Sequence, residues 1–238
     1  MRTEACPPLT FNNPNNNCPP NYGLDLDFAQ APMLWSITNG TQTIDVVGAG
    51  QKSGFFITLA RDTGKVVWST YIGPGGLCGG MLWGSAVDAT KIYLALSNCD
   101  QQKYHLLNGT EVAVGSWVAL DRNTGKMLWQ TADPQIQSDR PRPEGPVTIT
   151  AGGVVFASSE AGEFHAFDAT NGAILWTFTP GGAVKSAPVV SNGRVYWGSS
   201  GGHMFAFQAE PSFSARLTPY ICIIILCFTS LVLNTSLL

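Results

Sequence analysis

Charge is scarce in this chain: Asp, Glu, Lys and Arg make up 12% of its 238 residues, with a formal net charge of −3. The Lys and Arg residues are scattered, with no basic run and no basic–aromatic interleave, which excludes a nucleic-acid-binding surface. Histidine occurs three times, and no Cys-x-x-Cys or Cys/His spacing suggests zinc. The Cys-x-x-Cys-His signature of covalent haem is absent as well. No window sustains a 3.6-residue hydrophobic period, so an architecture built on helices is excluded. The N-terminal stretch Met1 to Pro20 is Asn/Pro-rich and irregular, without the apolar run of a signal peptide.

What the chain does have is glycine (26), proline (15) and a 45% hydrophobic content, a balance that fits a turn-rich all-β protein and not disorder. It also repeats itself. Gly54 to Trp68 reads GFFITLARDTGKVVW, Gly115 to Trp129 reads GSWVALDRNTGKMLW, and Gly162 to Trp176 reads GEFHAFDATNGAILW. A fourth copy starts at Gly202 (GHMFAF) and then loses the pattern. Spacing of roughly 40 to 50 residues between copies is the mark of a propeller or solenoid.

Each copy reads as a β-hairpin. Phe55–Leu59, Trp117–Leu120 and Phe164–Phe167 are short strands rich in aromatic and branched residues. The turns that follow end in Gly64, Gly125 and Gly172, which provide the positive φ, and a Val/Leu/Ile run then leads to Trp. Asp121 and Asp168 are placed to accept hydrogen bonds from turn amides, an acceptor lost where Ala60 and Gln208 stand instead. The linking segments repeat too: Ala187 to Ser200 matches Gly145 to Ser159, each a strand, a Gly-containing turn and a strand. Each unit thus offers four short antiparallel strands, one propeller blade. Residues 25–209 hold about four blades, flanked by the irregular segment 1–24 and an apolar tail, 210–238. The longer step between the first two Trp residues falls at Ser97–Val114, which reads as a long surface loop.

Cys6 with Cys18, and Cys78 with Cys99, are candidate disulfide pairs for an oxidising compartment. With the sequons at Asn39 and Asn108 they point to an extracytoplasmic location. From Tyr220 to Leu238 the tail carries no charge. Three readings of it stand open: a membrane tail anchor, a lipid-anchor signal, or translated non-coding sequence in place of the last strand.

The repeat Ala-Leu/Phe-Asp-x-x-Thr/Asn-Gly-x-x-Leu-Trp resembles the tryptophan-docking repeat of the pyrroloquinoline quinone (PQQ) dehydrogenases. Val46 to Phe55, which contains Lys52-Ser-Gly-Phe, resembles that family's strand ending in Lys-x-Gly-Phe. Gly73 to Ala86 resembles its Gly-Gly-x-x-Trp segment. Together with Ser116 to Asp121 and Gln130 to Pro134, the resemblance is to the polyvinyl-alcohol dehydrogenase-like branch, over about residues 25–209. It implies an eight-bladed ring of which about four blades are present, with PQQ as cofactor and Ca²⁺ as a candidate metal. It also implies oxidation of an alcohol or polyol by hydride transfer to the quinone in the complete protein.

The resemblance places Lys52 at the quinone oxygens, Trp83 beside the cofactor, and Gly79 and Gly80 where backbone approaches a ligand. The plain alternatives are a solvated strand-end Lys, a blade-packing Trp and a Gly-rich loop. The family's catalytic Asp, its vicinal cysteines and its Ca²⁺ ligands have no recognisable counterpart, and Leu82 replaces a polar residue before Trp83. These departures leave a second functional expectation, a non-catalytic propeller scaffold or protein-binding module. The alcohol and the electron acceptor are not specified by any residue pattern.

Overall fold

A computed structural model describes residues 25–39, 41–135, 142–209 and 223–228. The pairing of Cys6 with Cys18 and the segment 1–24 lie outside them. No helix occurs among the described residues.

The strands form four antiparallel sheets in chain order. The first holds β1 (Met33–Asn39), β2 (Gln42–Gly50), β3 (Phe55–Ala60) and β4 (Val66–Tyr71). The second holds β5 (Gly79–Gly80), β6 (Ala86–Val87), β7 (Lys91–Asn98), β10 (Ser116–Asp121) and β11 (Met127–Ala132). Between its third and fourth elements lies a small hairpin, β8 (Tyr104–His105) with β9 (Glu111–Val112). The third sheet is β12 (Thr148–Ile149), β13 (Val154–Ser159), β14 (Glu163–Asp168) and β15 (Ile174–Phe178). The fourth is β16 (Val189–Ser191), β17 (Arg194–Gly198), β18 (Met204–Ala209) and β19 (Ile223–Phe228). β19 comes from the segment set apart above as the apolar tail, and it pairs along β18 as the outer strand of the fourth blade. A run of β-branched residues is well suited to that place.

The Ser97–Val114 stretch is not a plain surface loop. Its hairpin turns at Asn108-Gly109, with Gly109 at a φ of 85°, and buries Tyr104 and Leu106 in the core between the first two blades. The Tyr104 hydroxyl donates to Ser116 Oγ at 3.0 Å.

The three repeat hairpins share one backbone. Gly64, Gly125 and Gly172 have φ of 67°, 73° and 74°, and their amides donate to Ala60, Asp121 and Asp168 carbonyls at 2.8 Å in each case. The register shifts at the same place in all three, between Thr58 and Leu59, Ala119 and Leu120, and Ala166 and Phe167. As the sequence suggests, Asp121 accepts from the Asn123 and Thr124 amides and Asp168 from the Thr170 amide. The first turn closes without that carboxylate because the backbone hydrogen bonds alone define it.

Strands β7 and β10 are apolar on both faces, so they lack the alternation of a half-exposed sheet. Ile92, Leu94, Leu96, Val118 and Leu120 face the first sheet, where Trp35, Ile37, Val46 and Phe56 meet them. Tyr93, Ala95, Trp117 and Ala119 face the third, against Val155, Ala157 and Phe167. Phe156, Phe164 and Ala166 then meet Trp197, Phe205 and Phe207 of the fourth. Phe164 stacks on Trp197 with ring centroids 4.2 Å apart.

The repeat Trp residues lock these interfaces. The Trp68 ring covers Gly125, and the Trp129 ring covers Gly172, so closely that a Cβ on Gly172 would lie 2.5 Å from Trp129 Cε3. Two residues on, Thr70 and Thr131 donate to the Gly125 and Gly172 carbonyls, both at 2.7 Å. Trp129 Nε1 donates to the Ala169 carbonyl at 3.1 Å. At the first interface the equivalent carbonyl, on Arg122, is taken by Trp35 Nε1 at 3.1 Å, and Trp68 Nε1 is buried without a partner among the described residues. An unsatisfied buried N–H costs on the order of 1–3 kcal/mol. The third interface departs from the rule: Phe178 stands where the others have Thr, and Trp176 packs against Phe207 at 4.9 Å.

Asn tolerates positive φ, so it isolates the added side chain as the variable. Gly125→Asn and Gly172→Asn each place atoms inside a Trp ring and should destabilise by about 1–3 kcal/mol in urea denaturation, the usual range for overpacking. Gly64→Asn, where no atom of the described residues lies within 4 Å of the Cβ position, should change stability by less than about 0.5 kcal/mol.

Candidate functional site

The turns joining the second and third strands of the blades carry the candidate residues. They share one geometry: Gly54, Gly162 and Gly202 donate to the carbonyls of Gln51, Ser159 and Ser199 at 3.0, 3.1 and 3.1 Å. Lys52, Glu160 and Ser200 therefore occupy the same place in three blades. Their amides bond back to the segment leading into each blade, to the carbonyls of Asp27, Arg142 and Ala183 at 3.1, 2.9 and 2.9 Å.

Lys52 Nζ lies 2.8 Å from Asp27 and 3.0 Å from Asp25, and its side chain is 13% exposed. Burial pulls the ammonium pKa down, but hydrogen bonds to Asp27 and Asp25 outweigh it and hold the pKa above its usual value. The same bond from Lys52 keeps the Asp27 carboxyl below the usual carboxylate range. In the third blade the charges are inverted. Glu160 meets Arg142 Nε and Lys185 Nζ, both at 2.9 Å, and Lys185 also meets Glu144 at 2.8 Å. Lys185 belongs to the fourth blade's lead-in, so this cluster ties blades three and four. Burial lowers the Lys185 pKa less than Glu144 and Glu160 raise it.

Gly79 and Gly80 are buried and form β5 against β7. The close approach they permit is to the chain's own backbone. A Cβ on Gly79 would lie 2.8 Å from Gly75 C, and one on Gly80, at φ 66°, would lie 2.5 Å from Lys52 C. The Gly76 amide donates to the Lys52 carbonyl at 3.0 Å. Lys52, Gly79 and Gly80 are thus brought together. Trp83 follows three residues later and is 38% exposed, an aromatic face open to solvent. Gly84 beside it accepts from the Val147 amide at 2.9 Å, where the first strands of blades two and three meet. Cys78, next to Gly79, is disulfide-bonded to Cys99, and Arg142 Nη1 stands 3.8 Å from its sulfur.

A second polar group lies sealed between blades two and three. Ser159 Oγ donates to Asp133 at 2.5 Å. Gln135 Nε2 donates to Glu163 at 2.6 Å, and Glu163 stands 3.2 Å from His165 Nε2. His165 Nδ1 meets Thr177 Oγ1 at 3.0 Å, with its ring edge-on to Trp117 at 5.0 Å. Burial raises the Asp133 pKa to about 6, and burial lowers the His165 pKa to about 4. Asp133 would suit a general base by its pKa, but it is 0% exposed, so no substrate reaches it. Neither this group nor the Arg142–Glu144–Glu160–Lys185 cluster was found from sequence, since the partners lie on different blades. The match of Gln51-Lys-Ser-Gly54 to Ser159-Glu-Ala-Gly162 was the available signal.

A protein-family model described as outer membrane protein assembly factor BamB matches residues 114–211. Polyvinylalcohol dehydrogenase of a Pseudomonas species is 30% identical over 202 residues, 76% of this chain and 30% of that protein. The same enzyme of Sphingopyxis sp. strain 113P3 is 28% identical over 76% of this chain and 27% of its own length. Among solved structures, quinohemoprotein alcohol dehydrogenase from Comamonas testosteroni superposes with a TM-score of 0.55 at 18% identity, covering 78% of this chain and 35% of that one. The fold is therefore an all-β propeller of antiparallel four-stranded blades held by docked tryptophans. Within that class the chain belongs to the PQQ-dependent alcohol dehydrogenase-type propellers, polyvinylalcohol dehydrogenase-like branch. It spans about 30% of the length of the curated relatives it matches.

The two buried groups make opposite contributions to stability between pH 4 and 6.5. Asp133, with its pKa raised in the folded state, stabilises at low pH, and that contribution is lost as pH rises towards about 6. His165, with its pKa depressed, contributes above about 6.5, and that contribution is lost as pH falls towards about 4. Asp133→Asn should therefore make unfolding free energy rise more steeply with pH in this window, and His165→Gln should make it fall. An Asp133→Asn profile parallel to that of the unmodified protein would show that this carboxyl does not titrate with folding.

Proposed function

We propose that the chain is the cofactor-facing set of blades of a PQQ-dependent alcohol or polyol dehydrogenase, with Trp83 and Lys52 on the cofactor face. The observation that carries this reading is the solvent-open Trp83 beside a chain segment, Lys52 with Gly79 and Gly80, that resembles the family's cofactor strand. The names of the relatives agree with it. In the complete protein the quinone would accept hydride from the alcohol. Trp83 fits the stacking that a flat quinone needs. Lys52 fits less well as it stands, because Asp25 and Asp27 outnumber its single charge and PQQ is a tri-anion. The only group of three candidate metal ligands among the described residues is Cys78, Cys99 and Asp100. The disulfide engages both cysteines, so no oxygen-rich Ca²⁺ cage is assembled there. The Cys78–Cys99 bond supports an extracytoplasmic location. A scaffold role is the second reading, favoured by the match of residues 114–211 to the BamB family model.

Equilibrium dialysis of the purified chain against PQQ with Ca²⁺ tests the proposal. Saturable binding is expected, weakened at least about tenfold by Trp83→Ala or Lys52→Met and unchanged by Lys65→Met. Asp27→Asn should tighten it by releasing Lys52. A cooperatively folded chain that binds no PQQ would favour the scaffold reading.

A further inference from the structure

The Cys78–Cys99 disulfide stands apart from the packed interior. Both cysteines are half-buried, and neither belongs to the apolar clusters between the blades. The bond joins the Gly-rich segment at β5 to the loop after β7, across 21 residues of sequence. It is one tie among several. β5 pairs with β7 through Gly79 opposite Asn98 and Gly80 opposite Ser97. Ser97 Oγ donates to the Cys78 carbonyl at 3.0 Å, and Gln102 Nε2 donates to the Gly75 carbonyl at 3.2 Å. Asn98 braces its own loop, accepting from the Gln102 amide at 3.1 Å and donating to the Gln102 carbonyl at 2.8 Å. These contacts hold the two sulfurs opposite one another whether the bond is closed or open.

The charges beside the two sulfurs are opposite. Arg142 Nη1 stands 3.8 Å from Cys78 Sγ. The lead-in of blade three supplies it, and it is anchored through Nε on Glu160 at 2.9 Å, with Glu144 3.8 Å from Nη1. Asp100 Oδ1 stands 3.9 Å from Cys99 Sγ. When a thiolate attacks a disulfide, negative charge grows on the departing sulfur, so a cation beside that sulfur speeds its departure and a carboxylate slows it. We propose that Cys78–Cys99 is a thiol-exchange site for a dithiol, which attacks Cys99 Sγ and expels Cys78 as a thiolate beside Arg142. In the first step a bond forms between the attacking sulfur and Cys99 Sγ, and the electron pair of the broken S–S bond stays on Cys78. In the second step the other sulfur of the dithiol displaces Cys99. The dithiol is thereby oxidised to a disulfide by two electrons, both cysteines are reduced, and the two thiol protons pass to the cysteine sulfurs or to water. The proposal is independent of cofactor binding.

Two measurements on the full chain test it. In the first, brief exposure to reduced glutathione is stopped with acid, released thiols are capped with N-ethylmaleimide, and peptides are mapped by mass spectrometry. Glutathione is expected on Cys99 and the cap on Cys78. In the second, the rate of opening by dithiothreitol is followed while near-ultraviolet circular dichroism reports that the fold persists. Arg142→Gln should slow opening by about tenfold, since it removes the charge beside the departing sulfur, and Arg142→Lys should restore most of the rate. A glutathione adduct on Cys78, no adduct at all, or opening only after the fold is lost overturns the proposal and leaves the bond a structural staple. Equal rates for the folded Arg142→Gln and unmodified chains overturn it as well. If Arg142→Gln does not fold, the position of the adduct in the unmodified chain decides the question.

Discussion

The structure depends on one close approach: an indole ring lying on a residue that has no Cβ. A side chain on Gly125 or Gly172 would occupy the space of the Trp68 or Trp129 ring, and the positive φ of each turn disfavours a branched residue there in any case. The two requirements fall on one position, so a single glycine fixes both the turn within a blade and the distance to the blade before it. The Thr hydroxyl two residues after each Trp then holds the same glycine's carbonyl. Indole burial, a backbone hydrogen bond and turn geometry are thereby coupled, and the apolar faces of β7, β10, β13 and β14 meet in register around them.

Where that coupling breaks, the packing changes character. At the third interface Phe178 replaces Thr, and aromatic packing takes over: Phe164 on Trp197, Trp176 on Phe207 and Phe178 on Phe205. The interface also gains ionic support from Lys185, which reaches back from the fourth blade to Glu144 and Glu160. Partly buried ion pairs of this kind are better at fixing geometry than at adding net stability. They set how the lead-in segments sit over the turns where the candidate site lies, by Asp25–Lys52–Asp27 in blade one and by the charge-inverted cluster in blade three.

The hairpins were legible because their information is local. Strand residues, turn acceptors and the positive-φ glycine lie within fifteen positions of one another in each copy, and Asp121 and Asp168 cap their turns as the sequence implies. Lys52, Gly79 and Gly80 were legible as neighbours through the family resemblance. Their partners were not. The carboxylates on Lys52 come from a lead-in segment 25 and 27 residues before it, and Gly79 and Gly80 serve contacts with the chain's own backbone. The Ser97–Val114 stretch read as a loop because its two strands are only two residues each, too short for an alternating pattern. The tail's apolar run left three readings open because β18, the strand that Ile223–Phe228 pairs with, is separated from it by residues with no repeat character.

By itself, then, the sequence determined the β-hairpin repeat, the blade count and the family, since each follows from residue order within or between copies. The tertiary structure decided which tryptophans dock and on what, and which charges neutralise one another. Those outcomes depend on which blade lies beside which, and a Trp, a Lys or a Gly in one blade carries no local mark of its neighbour in the next.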